Sequence, residues 1–171
     1  MSHGNADESV LSSLLAVRMW QGRAAEVVPL LLAFPESPSP FGASIAVCLW
    51  RAGERDRSRA YYEEHGVDLE IDNDVAMLTW CHAAELALYL GERTLGAAAY
   101  ERTAPYAGRN GCAGSYLALG PADAYLAMAA AASGAPDLAT RHADAALATA
   151  EEWELPLFAD WLRGLRSEHG F

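Results

Sequence analysis

The 171-residue sequence contains no lysine, and all twelve of its basic residues are arginine. This absence excludes each chemistry that needs a lysine amine, namely a P-loop phosphate lysine, a Schiff base and a serine–lysine pair. Basic residues are also outnumbered, because 23 aspartate and glutamate residues leave a formal net charge of −11. A field of this sign repels polyanions, so we expect no direct nucleic-acid partner.

Long hydrophobic runs and a cysteine framework are lacking as well. No apolar stretch reaches the ~18 residues of a membrane span and no secretory leader begins the chain, which predicts a cytoplasmic protein with no membrane partner. The cysteines, Cys48, Cys81 and Cys112, are odd in number and widely spaced. This pattern favours reduced thiols packed as small apolar groups.

Helical periodicity is the main positive signal. Residues 1–8 are polar and predict a flexible N-terminus, while residues 9–171 predict a single domain. Apolar residues recur at helical spacing in nine segments, residues 9–20, 24–34, 41–52, 55–64, 73–91, 94–106, 121–133, 138–153 and 156–168. In the fifth segment, Asp72, Asn73 and Asp74 are placed to cap the helix N-terminus.

Short turns between these helices predict how they pack. Glycines mark four of the turns, at Gly22, Gly53, Gly91 and Gly134. Helices joined by such turns pack as antiparallel neighbours, and the small residues Ser58, Gly96 and Ala139 allow close approach. The turns are unequally spaced, unlike the period of about 34 residues of a tetratricopeptide repeat. We therefore predict an all-α fold, an irregular tetratricopeptide-like α-solenoid of about four antiparallel helix pairs with a C-terminal closing helix.

A glycine-rich stretch, residues 107–116, interrupts the helical pattern and carries a resemblance. The text TAPYAGRNGCAG, followed by LGPADAYLAMAAAASGAPDLATRHADAALATA, resembles the tetratricopeptide-like region of large actinobacterial regulators. These are ATP-binding LuxR-type transcriptional activators and related antibiotic regulatory proteins. The likeness runs from about Ala16 to Leu165. It implies a role in transcription regulation, in which the region binds a partner or effector, whereas the family's ATPase and DNA-binding modules do not fit in this chain.

Aromatic residues in and beside the fifth and seventh predicted helices form the first candidate site. Trp80, Tyr89, Tyr116 and Tyr125 lie in or beside the fifth and seventh helices. In a helical solenoid the first helix of each pair lines a concave face that binds extended peptides or helices. The alternative is that these rings fill gaps between repeats. Trp153 and Trp161 are expected to seal the last helices.

The glycine-rich stretch supplies the second candidate. Arg109 and Asn110 are strong donors beside three glycines, and such a segment can wrap backbone N–H groups around an anion. The alternative is a structural crossover, with Arg109 capping carbonyl groups or pairing with an acidic side chain.

No set of residues predicts catalysis or a metal centre. Cys81, His82 and Glu85 form the most metal-like cluster, but Cys81 points about 100° away from the other two on a helix. No C-x-x-C motif or second histidine pair completes a zinc site. We therefore predict no catalytic residue, no metal and no cofactor.

The functional prediction is a non-enzymatic interaction or sensor module of a bacterial regulatory system. It binds a protein segment or a small effector on its concave face. The first alternative is a small enzyme or ligand carrier of specialised metabolism, with an enclosed pocket lined by Arg109, Trp80 and Tyr125. The second is a homodimer formed through an apolar terminal helix. An open groove with exposed aromatic residues favours the interaction module.

Overall fold

A computed structural model describes residues 13, 14, 16–33, 41–114 and 117–171. The predicted flexible N-terminus, the start of the first predicted helix, the prolines at 35, 38 and 40, and Tyr116 lie outside the described residues. The helical residues 13, 14 and 16–20 form α1. The further helices are α2 (Val28–Leu32), α3 (Gly42–Arg51), α4 (Arg55–His65), α5 (Ala76–Leu90), α6 (Arg93–Thr103), α7 (Ala122–Ser133), α8 (Pro136–Glu152) and α9 (Pro156–His169). Short 3-10 turns occupy Ala24–Glu26 and Ala104–Tyr106.

The prediction of a largely helical chain is confirmed for the described residues, although the predicted helix over residues 24–34 begins as a 3-10 turn that precedes the five-residue α2. The all-α prediction is wrong at the glycine-rich stretch, which was predicted as a loop and contains β1 (Asn110–Ala113), paired in a β-hairpin with β2 (Leu117–Pro121). The strands pair antiparallel, with Cys112 opposite Ala118 and an irregularity between Gly111 and Cys112. Burial alternates along both strands, so one face of the hairpin packs inward and the other is exposed.

The exposed face of the hairpin carries Cys112, which corrects one expectation about the thiols. Cys48 and Cys81 are fully buried, as predicted, but Cys112 is exposed. Its place in a strand with alternating burial explains the difference, because Gly111 and Ala113 on either side point inward.

Helix α5 begins later than predicted. Its first residue is Ala76, and no side chain caps its N-terminus. Asn73 instead accepts a hydrogen bond from the Val75 N–H at 3.0 Å, which forms a local turn before the helix. The carbonyl of Asp74 accepts the Gly114 N–H at 2.9 Å, so this turn also anchors the hairpin.

Two helices form the centre of the molecule. Most of α5 is buried, and α7 is buried from Ala122 to Ala130. A helix that is buried on all sides requires neighbours on all sides, and α5 contacts α3, α6, α7 and β1. Alanine accounts for seven of the twelve residues of α7 and four of the fifteen residues of α5, and these small side chains let the backbones approach closely.

Consecutive helices pack against each other as α3 with α4, α5 with α6 and α7 with α8, while α3, α5 and α7 are neighbours. Gly91 and Gly134 end α5 and α7 in the left-handed conformation, which favours glycine.

The prediction that small residues let the two helices of a pair approach closely holds only in part. Ser58 is buried and donates a hydrogen bond to the Ala46 carbonyl of the paired helix. Gly96, however, faces Ala132 of α7, in the next helix pair.

Helix α9 packs on α8 and reaches back to the start of the chain. Trp161 contacts Trp20 of α1 with ring centroids 5.2 Å apart, and Tyr125 of α7 at 6.1 Å. Trp161 therefore seals the last helix as expected. Trp153 does not, because 46% of it is exposed.

Candidate functional site

A buried ion pair between Arg51 and Glu85 joins α3 to α5. Glu85 is fully buried within an apolar helix, so its carboxylate requires a partner. Arg51 supplies one in a two-pronged arrangement, donating from Nε to Oε1 at 2.5 Å and from Nη2 to Oε2 at 2.7 Å. The Tyr89 hydroxyl donates to the same carboxylate at 2.7 Å. This geometry is the strong, bidentate form of an arginine–carboxylate contact.

Aromatic rings enclose the arginine of this pair. The Arg51 guanidinium lies 4.7 Å from the ring centroid of Trp161 and 5.6 Å from that of Trp20. Contacts of this kind stabilise a cation through the ring quadrupole. Burial is the largest influence on Arg51 and lowers the pKa of its guanidinium, but Glu85, Tyr89 and Tyr125 together raise that pKa above its ordinary value. Arg51 therefore stays charged.

An open cleft of about 430 Å³, here called the Trp161 cleft, borders this ion pair. It is lined by Met19, Gly22, Ala24, Trp50, Arg51, Arg55, Tyr89, Asp160, Trp161, Gly164, Leu165 and Glu168. Trp50 and Tyr89 stack within it, with centroids 5.1 Å apart and planes inclined by 7°. Burial, followed by the Glu85 charge, raises the pKa of the Tyr89 hydroxyl, so this hydroxyl stays a donor.

Charged residues surround the mouth of the Trp161 cleft. Arg55 lies over the Trp50 ring at 5.1 Å, and its guanidinium is 4.0 Å from the Glu168 carboxylate of α9. Both charged side chains are more than half exposed, so this contact contributes little to stability. It therefore breaks at little cost in free energy.

A second concavity, here called the Trp153 groove, measures about 390 Å³ and shares no lining residue with the Trp161 cleft. It lies between the hairpin and the turn from α8 to α9. It is lined by Trp20, Asn110, Ala118, Gly120, Trp153, Glu154, Leu155, Pro156, Leu157 and Phe158. Gly120 has no room for a side chain, because a Cβ there would lie 2.3 Å from Phe158.

Cys81, His82 and Glu85, the most metal-like cluster of the sequence, do not act together in the structure, because Glu85 and His82 have separate partners. Glu85 binds Arg51, and His82 Nδ1 is hydrogen-bonded to the buried Ser44 hydroxyl at 2.8 Å. Burial lowers the pKa of His82 to about 4, which keeps the imidazole neutral. In the part of the chain that the structure describes, no group of three His, Cys, Asp or Glu side chains is arranged to hold a metal ion.

The predicted aromatic residues occupy different environments. Tyr89 lines the Trp161 cleft. Tyr125 is 1% exposed and donates to the Leu119 carbonyl at 2.9 Å, which places it in the core. Trp80 is half-buried, donates to the Leu69 carbonyl at 3.1 Å and contacts Tyr106. Tyr116 lies outside the described residues.

In residues 107–114, the part of the glycine-rich stretch that the structure describes, one backbone donor is directed at an acidic side chain of the same chain. The Gly108 N–H donates to the Asp123 carboxylate at 2.6 Å, so the chain supplies its own anion there. The Arg109 side chain is exposed, and its backbone carbonyl accepts the Ala122 N–H at 2.9 Å. Asn110 lines the Trp153 groove. None of the cavities given above is lined by Arg109 or Trp80.

An acid–histidine–tyrosine chain was not predicted from the sequence. Asp123 Oδ1 lies 2.7 Å from His142 Nδ1, and His142 Nε2 lies 3.0 Å from the Tyr100 hydroxyl. The order of groups matches that of a nucleophile triad. These residues line neither the Trp161 cleft nor the Trp153 groove. Asp123 also accepts the Gly108 N–H, so the hydrogen bonds join α6, α7 and α8 to the segment that precedes the hairpin.

Comparison of the chain with models of protein families, with curated proteins and with solved structures finds no match. The resemblance to actinobacterial regulators therefore stays a prediction. Among the described helices, none combines the length and the hydropathy needed to cross a bilayer.

Proposed function

We propose that this protein is a cytoplasmic, non-enzymatic binding module of a bacterial regulatory system with a tetratricopeptide-like arrangement of helix pairs. In this proposal a segment of a partner protein lies in the Trp161 cleft. The observation that carries the proposal is an open cleft of about 430 Å³ with aromatic walls, beside a buried ion pair that fixes its floor. Its size lies within the range of specific binding sites.

The position of the cleft supports this assignment. Trp50 and Arg51 come from α3, and Tyr89 comes from α5, which are the first helices of two successive pairs. In helical-repeat proteins these helices bind partner segments. Helix α9 forms the opposite wall with Trp161, Gly164 and Leu165. Tryptophan, tyrosine and arginine are the residues that contribute most to binding at protein interfaces.

The charge of the protein indicates a basic partner. Asp160 and Glu168 stand at the rim, where Arg55 is the one exposed cation of the lining, and Arg51 is neutralised by Glu85. The chain carries a formal net charge of −11. Such a field attracts positively charged segments and mainly accelerates association. We therefore expect a basic segment with an aliphatic or aromatic anchor.

Filling the cleft tests this proposal. Gly164 lies in α9, and a Cβ at this position meets no atom within 4 Å. We expect Gly164→Trp to lower the affinity for a cleft-binding peptide by about tenfold or more, because the indole occupies the cleft. Gly164→Ala is the matched control. It should preserve binding and raise the free energy of unfolding by about 1 kcal/mol, since alanine is a better helix former than glycine.

The peptides come from a selection of random 12-residue sequences on the wild-type protein, with affinities measured by fluorescence anisotropy. Asp160→Arg should weaken binding and reduce its salt dependence, whereas Glu101→Arg at an exposed position of α6 should have a smaller effect. The proposal fails if selection yields no basic peptide, or if the selected peptides bind Gly164→Trp as tightly as the wild type.

The enzyme or carrier alternative depended on a pocket lined by Arg109, Trp80 and Tyr125. The three side chains lie in separate environments, as exposed, half-buried and core residues respectively. No observation favours that alternative over the binding module.

A further inference from the structure

The Trp153 groove has an unusual distribution of charge for an apolar site. Its lining is mostly apolar, and Glu154 is its one charged residue. Within the described parts of the chain, no hydrogen bond or ion pair engages the Glu154 side chain, and no cation lines the groove. The carboxylate is therefore available to a bound molecule.

The backbone at Glu154 adds a second observation. Its φ is 53°, which makes it the one non-glycine residue with positive φ among the described residues. It follows Trp153, the C-cap of α8, at a position where helices most often carry glycine. A side chain in this conformation is strained, so the backbone at this position would be more stable with glycine than with glutamate.

The neighbouring apolar residues are exposed to an unusual degree. Trp153 is 46% exposed and Leu157 is 59% exposed, whereas Phe158 at the base of the groove is 4% exposed. An exposed indole attracts a cation over its face. The groove thus combines an apolar base, an aromatic wall and one unpaired negative charge.

We propose that the Trp153 groove binds a small organic cation with an apolar body. The apolar body packs against Pro156 and Phe158, and the ammonium group lies between the Glu154 carboxylate and the Trp153 ring. A volume of about 390 Å³ suits a small molecule, and the single carboxylate sets the sign of the ligand. This site is distinct from the Trp161 cleft, because the two linings share no residue, but Trp20 of the groove contacts Trp161 of the cleft.

A matched series of probes tests the sign of the charge. The probes are 1-naphthylmethylammonium, 1-naphthylmethanol and 1-naphthoate, which share one ring system and differ in the charge of the polar group. Isothermal titration calorimetry on the full chain measures each affinity. We expect the cation to bind about tenfold more tightly than the alcohol, through the combined carboxylate and indole contacts. The anion should bind most weakly.

Variants of Glu154 separate the charge from the fold. Glu154→Gln should weaken binding of the cation severalfold, so that only the part of its preference that the Trp153 indole supplies remains, and should leave the affinity of the alcohol unchanged. Glu154→Gly should have the same effect on binding but raise the midpoint of thermal unfolding by about 2 °C, because glycine relieves the positive φ. The opposite changes in affinity and stability exclude unfolding as the cause of lost binding.

The location of the probe is tested on the hairpin. Ala118 lies on the exposed face of β2 and lines the groove. Ala118→Leu should reduce the affinity of all three probes by narrowing the groove, while Ala118→Ser and Gly164→Trp should leave it unchanged. Equal affinities for the three probes, a preference for the anion, no detectable binding, or loss of binding in Gly164→Trp would each overturn the proposal.

Discussion

Replacing Arg51 by methionine is expected to lower the free energy of unfolding by about 3–5 kcal/mol. Methionine fills much of the volume of the arginine stem but removes its charge. Glu85, which is fully buried, then keeps only the Tyr89 hydroxyl as a partner. An unpaired buried carboxylate is costly in water-free surroundings, which explains the size of the effect. Urea denaturation at pH 7 measures it.

A double variant separates the lost charge partner from lost packing. Arg51→Met combined with Glu85→Leu removes both charges, and we expect it to recover more than half of the stability lost in Arg51→Met. Arg163→Met provides the surface control, because its contacts with Glu151 and Asp160 are exposed and should contribute at most about 1 kcal/mol. Equal stability losses in Arg51→Met and Arg163→Met would contradict the assignment of a buried ion pair.

Acidification should destabilise the protein through His82. Burial lowers the pKa of His82 to about 4 in the folded chain, from an ordinary value near 6.5. Between these values the unfolded chain binds a proton at His82 and the folded chain does not, so the free energy of unfolding falls as the pH falls. A shift of about 2.5 units corresponds to about 3 kcal/mol lost between pH 6.5 and pH 4.

His82→Gln isolates this contribution. Glutamine retains a hydrogen-bonding group for the Ser44 hydroxyl and does not titrate. The charged groups that influence His82 are Glu85 and Arg51, and both remain in the variant. The difference in unfolding free energy between wild type and His82→Gln should therefore change by about 3 kcal/mol across this pH range. If this difference does not change with pH, burial does not lower the pKa of His82 in the folded protein.

Most of the helices are predictable from the sequence because their signals are local. Apolar residues at helical spacing, with glycine at Gly91 and Gly134, give the order of the helices from α3 to α9 with shifts at their ends. The hairpin is not predictable in this way. Its strands are short, contain four glycine and alanine residues among nine, and lack the β-branched residues that signal strands. Their pairing is an interaction between two segments that leaves no periodic pattern.

The residues of the candidate sites differ in the same way, since some are predictable from the local sequence and others are not. Tyr89 and Asn110 were predicted and line the two concavities, whereas Arg51, Trp50 and Glu154 were not. Glu85 carried a usable signal, because a carboxylate within an apolar helix demands a partner. The partner is 34 residues away in the chain, so spacing alone could not identify it. The exposure of Trp153 depends on the conformation of the turn from α8 to α9. No aromatic pattern in the neighbouring sequence predicts that conformation.

Of the three thiols, one is exposed and provides a single site for covalent labelling. Cys48 and Cys81 are buried, and burial raises the pKa of both thiols, which suppresses their thiolate form and shields them from reagents. Cys112 is exposed on the hairpin, opposite Ala118, which lines the Trp153 groove. A maleimide dye added to the unaltered folded chain should therefore label one position. The fluorophore would stand beside the groove, where the arrival of a ligand changes its surroundings.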